Sequence, residues 1–295
     1  MADEAGGTLS VEREDKHAGS GTNAAQSERE KLEIHLLLEG IYSASGFDFR
    51  NYARSSLRRR IYHRMQLDGL LTVTSLLEKA LHEPGYLDLL VNDFSIKVTE
   101  MFRDPSFFRL FRQRVVPELR RYPEIRIWHA GCATGEEAYS MAILLQEEGL
   151  LERTKLYGTD MNEQVVRSAR EGRFPLKRMQ AYTKNYLQAG GAGEFSSYYS
   201  TNHEYALFDP SIKANITFAQ HNLATDRSFN EFHVILCRNV LIYFDAVLQR
   251  RSHGLFYDSL APEGFIGLGH METMAAAYKA KYEEWIPPGH LYRKK

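Results

Sequence analysis

The sequence predicts an α/β protein, a sheet of largely parallel strands with helices, preceded by a small all-helical unit. Three observations carry this. Residues 125–140, Ile-Arg-Ile-Trp-His-Ala-Gly-Cys-Ala-Thr-Gly-Glu-Glu-Ala-Tyr-Ser, read as a short buried strand, a loop turned by Gly131 and Gly135, and a helix start. Residues 155–160 read as a second strand ending in Asp160, at the distance beyond the glycine loop where an α/β nucleotide-binding unit places a carboxylate on ribose hydroxyls. Residues 29–95 show helical periodicity instead.

Composition bounds the function. With 295 residues, 43% hydrophobic and 25% charged, the chain can bury one sizeable core and a smaller one, so two domains are expected. A net charge of -1 gives no support for a nucleic-acid partner. No apolar run reaches spanning length and the start lacks a secretory pattern, which predicts a cytoplasmic protein without an integral membrane segment. Cys132 and Cys237 have neither metal-ligand spacing nor a paired framework; they read as reduced, buried residues, and no metal site is expected.

In chain order, residues 1–28 are rich in Gly, Ala, Ser, Asp and Glu and read as a disordered tail. A helix is expected over 27–40 and a second over 47–67, where Arg50, Arg54 and Arg58 recur at four-residue steps beside Arg59, Arg60, His63 and Arg64. That face suits an acidic partner; it is equally an ordinary solvated helix face. Shorter helices over 74–82 and 86–93 complete an N-terminal helical domain, 29–95. Residues 96–122 form a linker and a connecting helix, opened by Pro105 with Asp104 near its cap and running over 106–121. Thr99 and Arg103 in this linker read as a lid over the crevice, with Arg103 offering a fork of donors suited to a carboxylate.

Residues 123–295 hold the sheet. Glu136 and Glu137 at the helix start would repel a pyrophosphate; they suit a cationic amine or sulfonium, or simply compensate the helix dipole. That helix is expected to continue over 139–151. Asp160 serves ribose hydroxyls or the N-cap of a helix over 163–170. Residues 172–215 are aromatic and polar, broken by Gly190, Gly191 and Gly193, and read as an inserted segment with short strands. Strands follow at 216–218 and 232–237. Asn222 is placed to meet a heteroaromatic edge or to hold a turn, and Arg238 and Asn239 follow a buried run, where sheet ligands bind. A helix after Asp245, a strand at 264–270 and a final antiparallel pair within 285–292 close the chain.

Six stretches in order resemble the CheR-type chemotaxis receptor methyltransferases: Thr99-Glu-Met-Phe-Arg-Asp104, Ala130-Gly-Cys-Ala-Thr-Gly-Glu-Glu137, Gly158-Thr-Asp160, His221-Asn-Leu223, Cys237-Arg-Asn-Val-Leu-Ile-Tyr-Phe-Asp245 and Gly267-Leu-Gly-His270. The resemblance spans about residues 30–294. It implies a Rossmann-like S-adenosylmethionine-dependent methyltransferase sheet behind the helical domain, with S-adenosylhomocysteine as product and glutamate side chains of a receptor or related signalling protein as acceptor. By position it implies cofactor contacts at Thr99, Arg103, Glu136, Asp160, Asn222, Leu223, Arg238 and Asn239, and Tyr243 near the transferred methyl. Arg103 and Tyr243 are the catalytic candidates. Lys97 stands where better-known members carry Asn, so that contact departs from the pattern. The family's small β subdomain, which binds a receptor tail in some members, would fall within 181–215.

The resemblance fits the chemistry: a sulfonium is a good leaving group and a carboxylate is ionised at neutral pH, so the protein has mainly to align the reactants and exclude water. Three other functions share some of these features: a nicotinamide-dependent oxidoreductase, a methyltransferase of a small molecule or RNA, and a non-catalytic, cofactor-sensing adaptor in a signalling complex. The sequence carries no legible oligomer signal.

Overall fold

The computed structural model describes residues 18–286 and 290–295. Of the expected tail, residues 1–17 lie outside the described residues, and the rest is helical: α1 spans Ala18–Ser45, longer at both ends than 27–40. Ser45 Oγ closes it by donating to the Ile41 carbonyl at 2.6 Å. Helix α2 (Arg54–Leu67) is shorter than the expected 47–67. The preceding residues are committed elsewhere, since Ala53 N donates to the Tyr243 carbonyl at 2.7 Å and Asp245 N to the Asn51 carbonyl at 2.8 Å. Leu57, Ile61 and Met65, at four-residue spacing, form the buried face of α2. Part of its basic face is engaged within the helical unit: Arg58 pairs with Glu30, Arg64 with Asp93 and Asp68, and Arg60 donates to the Phe94 carbonyl, while Arg54, Arg59 and His63 are exposed. Helices α3 (Val73–His82), capped by Thr72, and α4 (Tyr86–Phe94) complete the unit.

The connecting helix, expected as one piece over 106–121, breaks at Val115 into α5 (Pro105–Arg114) and α6 (Val116–Leu119). Pro117 has no N–H to donate back to Gln113, so the ladder cannot run through. The sheet then begins with β1 (Ile125–Ala130), α7 (Glu136–Glu147), β2 (Thr154–Asp160) and α8 (Glu163–Glu171). Helix α7 stops short of the expected Leu151, at a turn where Gly149 has a φ of 67°. The insertion is more regular than its composition suggested. It holds β3 (Arg173–Pro175), α9 (Met179–Gln188), β4 (Tyr199–Thr201), β5 (Tyr205–Phe208) and α10 (Pro210–Lys213), and its antiparallel sheet, in the order β3-β5-β4, begins at Arg173, ahead of the expected 181.

After it come β6 (Ile216–Gln220), β7 (Phe232–Cys237), α11 (Ala246–Ser259), β8 (Leu260–Leu268), α12 (Ala276–Lys279), β9 (Tyr282–Ile286) and β10 (Leu291–Lys294). The main sheet runs β6-β2-β1-β7-β8-β10-β9; the first five strands are parallel and the last two form the expected antiparallel pair. Strand parity sorts its core. Ile127, Leu156, Val234 and Leu236 pack with Phe108 of α5 and Ile143 of α7. Trp128, Ile235 and Cys237 face the other way, into a cluster with Phe256 of α11 and with Leu37, Ile61 and Phe94 of the helical unit. The helical unit therefore shares a core with the sheet.

His253 of α11 is 1% exposed, and neither ring nitrogen has a partner among the described residues. Burial pushes its pKa down to about 4. The folded state thus holds His253 neutral, and the stability this brings is present above the unfolded value near 6.5 and lost as pH falls from there to 4. At about 1.4 kcal/mol per unit the loss approaches ~3 kcal/mol at pH 4. In urea unfolding across this range, a His253→Leu protein should lose about that much less stability on acidification than wild type.

Candidate active site

The carboxyl ends of β1, β2, β6 and β7 converge on one hollow, the place where an open parallel sheet binds its ligands. It encloses about 930 Å³ including its open mouth. Tyr52, Phe94 and Phe244 wall one side and the linker residues Val98, Thr99 and Arg103 another. Tyr52 belongs to the helical unit: it bridges to Phe244, stacks edge to face on Phe49, and donates its hydroxyl to Met161 Sδ at 3.0 Å.

The floor is the loop after β1. Gly131 N and Cys132 N donate to the Thr159 carbonyl at 2.8 and 2.9 Å, which curls the loop over the end of β2. Gly131 has a φ of 77°, and a Cβ there would meet Val240 Cγ2 at 2.5 Å, so only glycine fits. Asp160 accepts from Ala133 N and Asn162 N, each at 3.0 Å. Burial raises its pKa, and these backbone N–H groups oppose the rise. The N-cap of α8 is Asn162, accepting from Gln164 N at 2.9 Å, so Asp160 is not the cap and its remaining lone pairs face the hollow's lining.

The two glutamates of the loop part company. Glu136 is not among the residues lining the hollow. As the first residue of α7 it is 2% exposed, accepts from Thr134 Oγ1 at 2.6 Å and from Tyr182 of α9 at 3.3 Å, and its pKa is raised by burial. One residue further round the helix, Glu137 lines the hollow. It bonds His129 Nδ1 at 2.9 Å and accepts from Arg238 at 2.9 Å. Burial would push Glu137 up, but His129 and Arg238 outweigh it and hold the carboxyl below its ordinary value. Helical phase within Glu136-Glu137 could have flagged this choice; nothing in the sequence marks His129 or Tyr52.

Beyond β7, Arg238 is a strut. Its guanidinium, with a side chain 2% exposed, donates to Glu137, to Asp104 Oδ2 at 2.8 Å and to the Arg103 carbonyl at 3.2 Å, and lies 4.0 Å from the centroid of Phe107. Asn239, with a φ of 62°, and Tyr243 line the hollow beside it. Thr99 lines it too, its carbonyl held by Arg178 at 3.2 Å. Arg103 lines the mouth and makes, among the described residues, one side-chain hydrogen bond, to the Val98 carbonyl at 3.3 Å. Asn222 and Leu223 are in the lining as well, and the Asn222 oxygen holds a turn by accepting from Ala224 N at 2.9 Å. Lys97 is not in the lining: its ammonium turns to Asn92 Oδ1, with Asp160 near enough to raise a pKa that burial lowers. Of the expected residues, then, Thr99, Arg103, Asp160, Asn222, Leu223, Arg238, Asn239 and Tyr243 are brought together, and Glu136 and Lys97 stand outside.

A parallel sheet with an acid at the end of its second strand, a carboxylate under the hollow and apolar walls defines a nucleoside-binding α/β enzyme site, and its donor set fits S-adenosylmethionine. Asp160 retains acceptor capacity for hydroxyls, Glu137 gives negative charge for a cation, and Tyr52, Leu223 and Phe244 give apolar surface for a base. Comparison with known proteins settles the family. Residues 97–285 match "CheR methyltransferase, SAM binding domain" and residues 32–95 match "CheR methyltransferase, all-alpha domain". The chain belongs to the CheR family of S-adenosylmethionine-dependent methyltransferases. It is 47% identical over 264 residues to a Pseudomonas putida protein named Cher3, covering 89% of this chain and 97% of that one. It is 31% identical over 252 residues to the chemotaxis protein methyltransferase 2 of Pseudomonas aeruginosa, covering 83% and 88%. Against the chemotaxis protein methyltransferase of Escherichia coli the figures are 28% over 243 residues, 80% and 82%.

Arg238 spans two carboxylates and a carbonyl as a planar fork, which a lysine cannot reproduce. An Arg238→Lys protein should lose up to about 3 kcal/mol in denaturant unfolding, because a single ammonium cannot span both carboxylates and the largely buried Glu137 loses its planar partner. Amides of residues 99–104 should also exchange hydrogen faster than in wild type.

Proposed function

We propose that this protein methylates glutamate side chains of a chemoreceptor or related signalling protein, forming methyl esters, and that it does so in the cytoplasm. The relatives named chemotaxis protein methyltransferase support the pathway. Among the described residues no helix is long and apolar enough to cross a membrane. The observation that carries the acceptor class is Arg103 at the mouth, whose guanidinium keeps donors available for an incoming carboxylate.

The roles follow from the lining. Asp160 takes ribose hydroxyls, Asn222 and Leu223 border the base, and Thr99 and Asn239 hold the polar end of the cofactor. Arg238 acts chiefly through its neighbours, since its two terminal nitrogens donate to Glu137, Asp104 and the Arg103 carbonyl. When bound, S-adenosylmethionine supplies a methyl group on a sulfonium that departs as a neutral thioether. A glutamate acceptor is already ionised at neutral pH, so Arg103 and Tyr243 have to align it and keep water out rather than remove a proton.

Incubation with methyl-labelled S-adenosylmethionine and candidate receptor membranes should give protein-bound label that alkali releases as methanol. Alkali-stable label would point to an N-methyl or ether product, and no transfer in a single turnover to an adaptor. An Arg103→Ala protein should bind S-adenosylhomocysteine and turn over about 10- to 100-fold more slowly, the range for a lost charge-assisted hydrogen bond. Wild-type turnover in that protein would remove Arg103 from the mechanism.

A further inference from the structure

The turn that carries Arg238, Asn239 and Tyr243 into the hollow lies beyond the end of β7, which stops at Cys237. Only a short 3-10 segment, Leu241–Tyr243, follows it. Its backbone N–H groups are gathered by a carboxylate from a different segment, just past β8. Glu272 Oε2 accepts from Asn239 N at 2.9 Å and Gly269 N at 2.6 Å, and Oε1 from Val240 N at 2.8 Å and Ile242 N at 3.3 Å. Glu272 is 3% exposed and does not line the hollow. The two loops touch because residue 269 is glycine: a Cβ there would stand 2.7 Å from both Asn239 N and Glu272 Oε2. Asn239 sits at a φ of 62°, the left-handed region that asparagine adopts more readily than other non-glycine residues.

We propose that Glu272 is a positioning residue for methyl transfer, its carboxylate fixing the turn after β7 so that Asn239 and Tyr243 point into the hollow. A carboxylate has acceptor sites only, and four donors match its capacity. A glutamine in its place would set an NH2 against two of those N–H groups, and an aspartate, one methylene shorter, cannot present both oxygens to the same four. The charge also sits where the backbone N–H groups of the turn form a concave nest, which suits an anion. This inference rests on the reading of Asn239 as a cofactor contact.

The test uses the full-length protein as wild type, Glu272→Gln, Glu272→Asp, Asn239→Ala and the Glu272→Gln/Asn239→Ala double variant, with S-adenosylhomocysteine as the calorimetric probe. Leu119→Ala, in α6 and remote from the hollow, controls for lost stability. Glu272→Gln should raise the Kd about tenfold or more, Asn239→Ala should raise it comparably, and the double variant should add little, because the two act through one turn. Leu119→Ala should lower the unfolding midpoint and leave the Kd unchanged. If Glu272→Gln does not fold, Glu272→Asp carries the same comparison. A Kd within about twofold of wild type for the folded Glu272 variants, or effects of Glu272 and Asn239 that simply add, would overturn the proposal. A wild type that fails to bind the probe, or an Asn239→Ala protein with wild-type Kd, would instead overturn the cofactor reading beneath it.

Discussion

The guanidinium of Arg238, wedged between Glu137 and Asp104, is the constraint on which the rest of the site depends. It joins the end of β7, the first turn of α7 and the linker that crosses the hollow, which are remote from one another in sequence. Arg238 and Glu137, with side chains 2% and 18% exposed, are largely taken out of water, which is costly unless each is paired, and here each is; Asp104, 40% exposed, keeps part of its hydration. The aromatic ring of Phe107 lies against the guanidinium, 4.0 Å from ring centroid to Cζ, and adds a cation–π contact. What the arrangement brings is geometry: with Arg103 and Asp104 clamped by their backbone and side chain, the linker stands over the crevice, and the Arg103 guanidinium is left at the mouth.

The same logic distributes the acids. Glu137, hydrogen-bonded to a buried histidine and an arginine, is held ionised and low. Glu136, its chain neighbour, is turned into the wall formed with α9 and raised by burial. Asp160 is buried at the end of β2 with backbone N–H groups on both oxygens. Three carboxyl groups within a short stretch of space thus have three different environments, and methyl transfer to an ionised acceptor requires none of them as a base. The helical unit is part of this construction. Tyr52 bridges to Phe244, Asn92 accepts from Asn162, and the unit shares a core cluster with one face of the sheet.

Much of the architecture was legible from local pattern. The short buried apolar runs in 125–130 and 232–237, the turn signals before 291 and the helical spacing of 73–94 all gave the right element in the right place, because a strand covered on both faces and a helix with one burying face each leave a local pattern. Where a boundary failed, a longer-range interaction had overridden it. Residues 47–53 look helical, but their backbone groups pair with 243–245. Residues 172–215 look irregular, yet their aromatic side chains pack into a compact sheet and helix on the main core, with Phe174, Tyr182, Tyr186, Phe195 and Phe208 all buried. Eight of the residues lining the hollow, Thr99, Arg103, Asp160, Asn222, Leu223, Arg238, Asn239 and Tyr243, were legible from motif positions. Tyr52 and Glu272 were not, since their roles depend on partners far along the chain, and the pairing of Glu137 with His129 and Arg238 was not either.

By itself the sequence determined the class of fold, the family and the set of strand ends where a ligand must sit, because hydrophobic period, glycine placement and motif order are properties of neighbouring residues. Only the tertiary structure decided which of two adjacent glutamates faces the hollow, that Arg238 holds rather than merely contacts, that Lys97 turns aside to Asn92, and that the turn after β7 hangs on a carboxylate from beyond β8. The reason is physical: a side chain's charge state and direction are set by what is packed against it, and those partners come together only when the chain has folded.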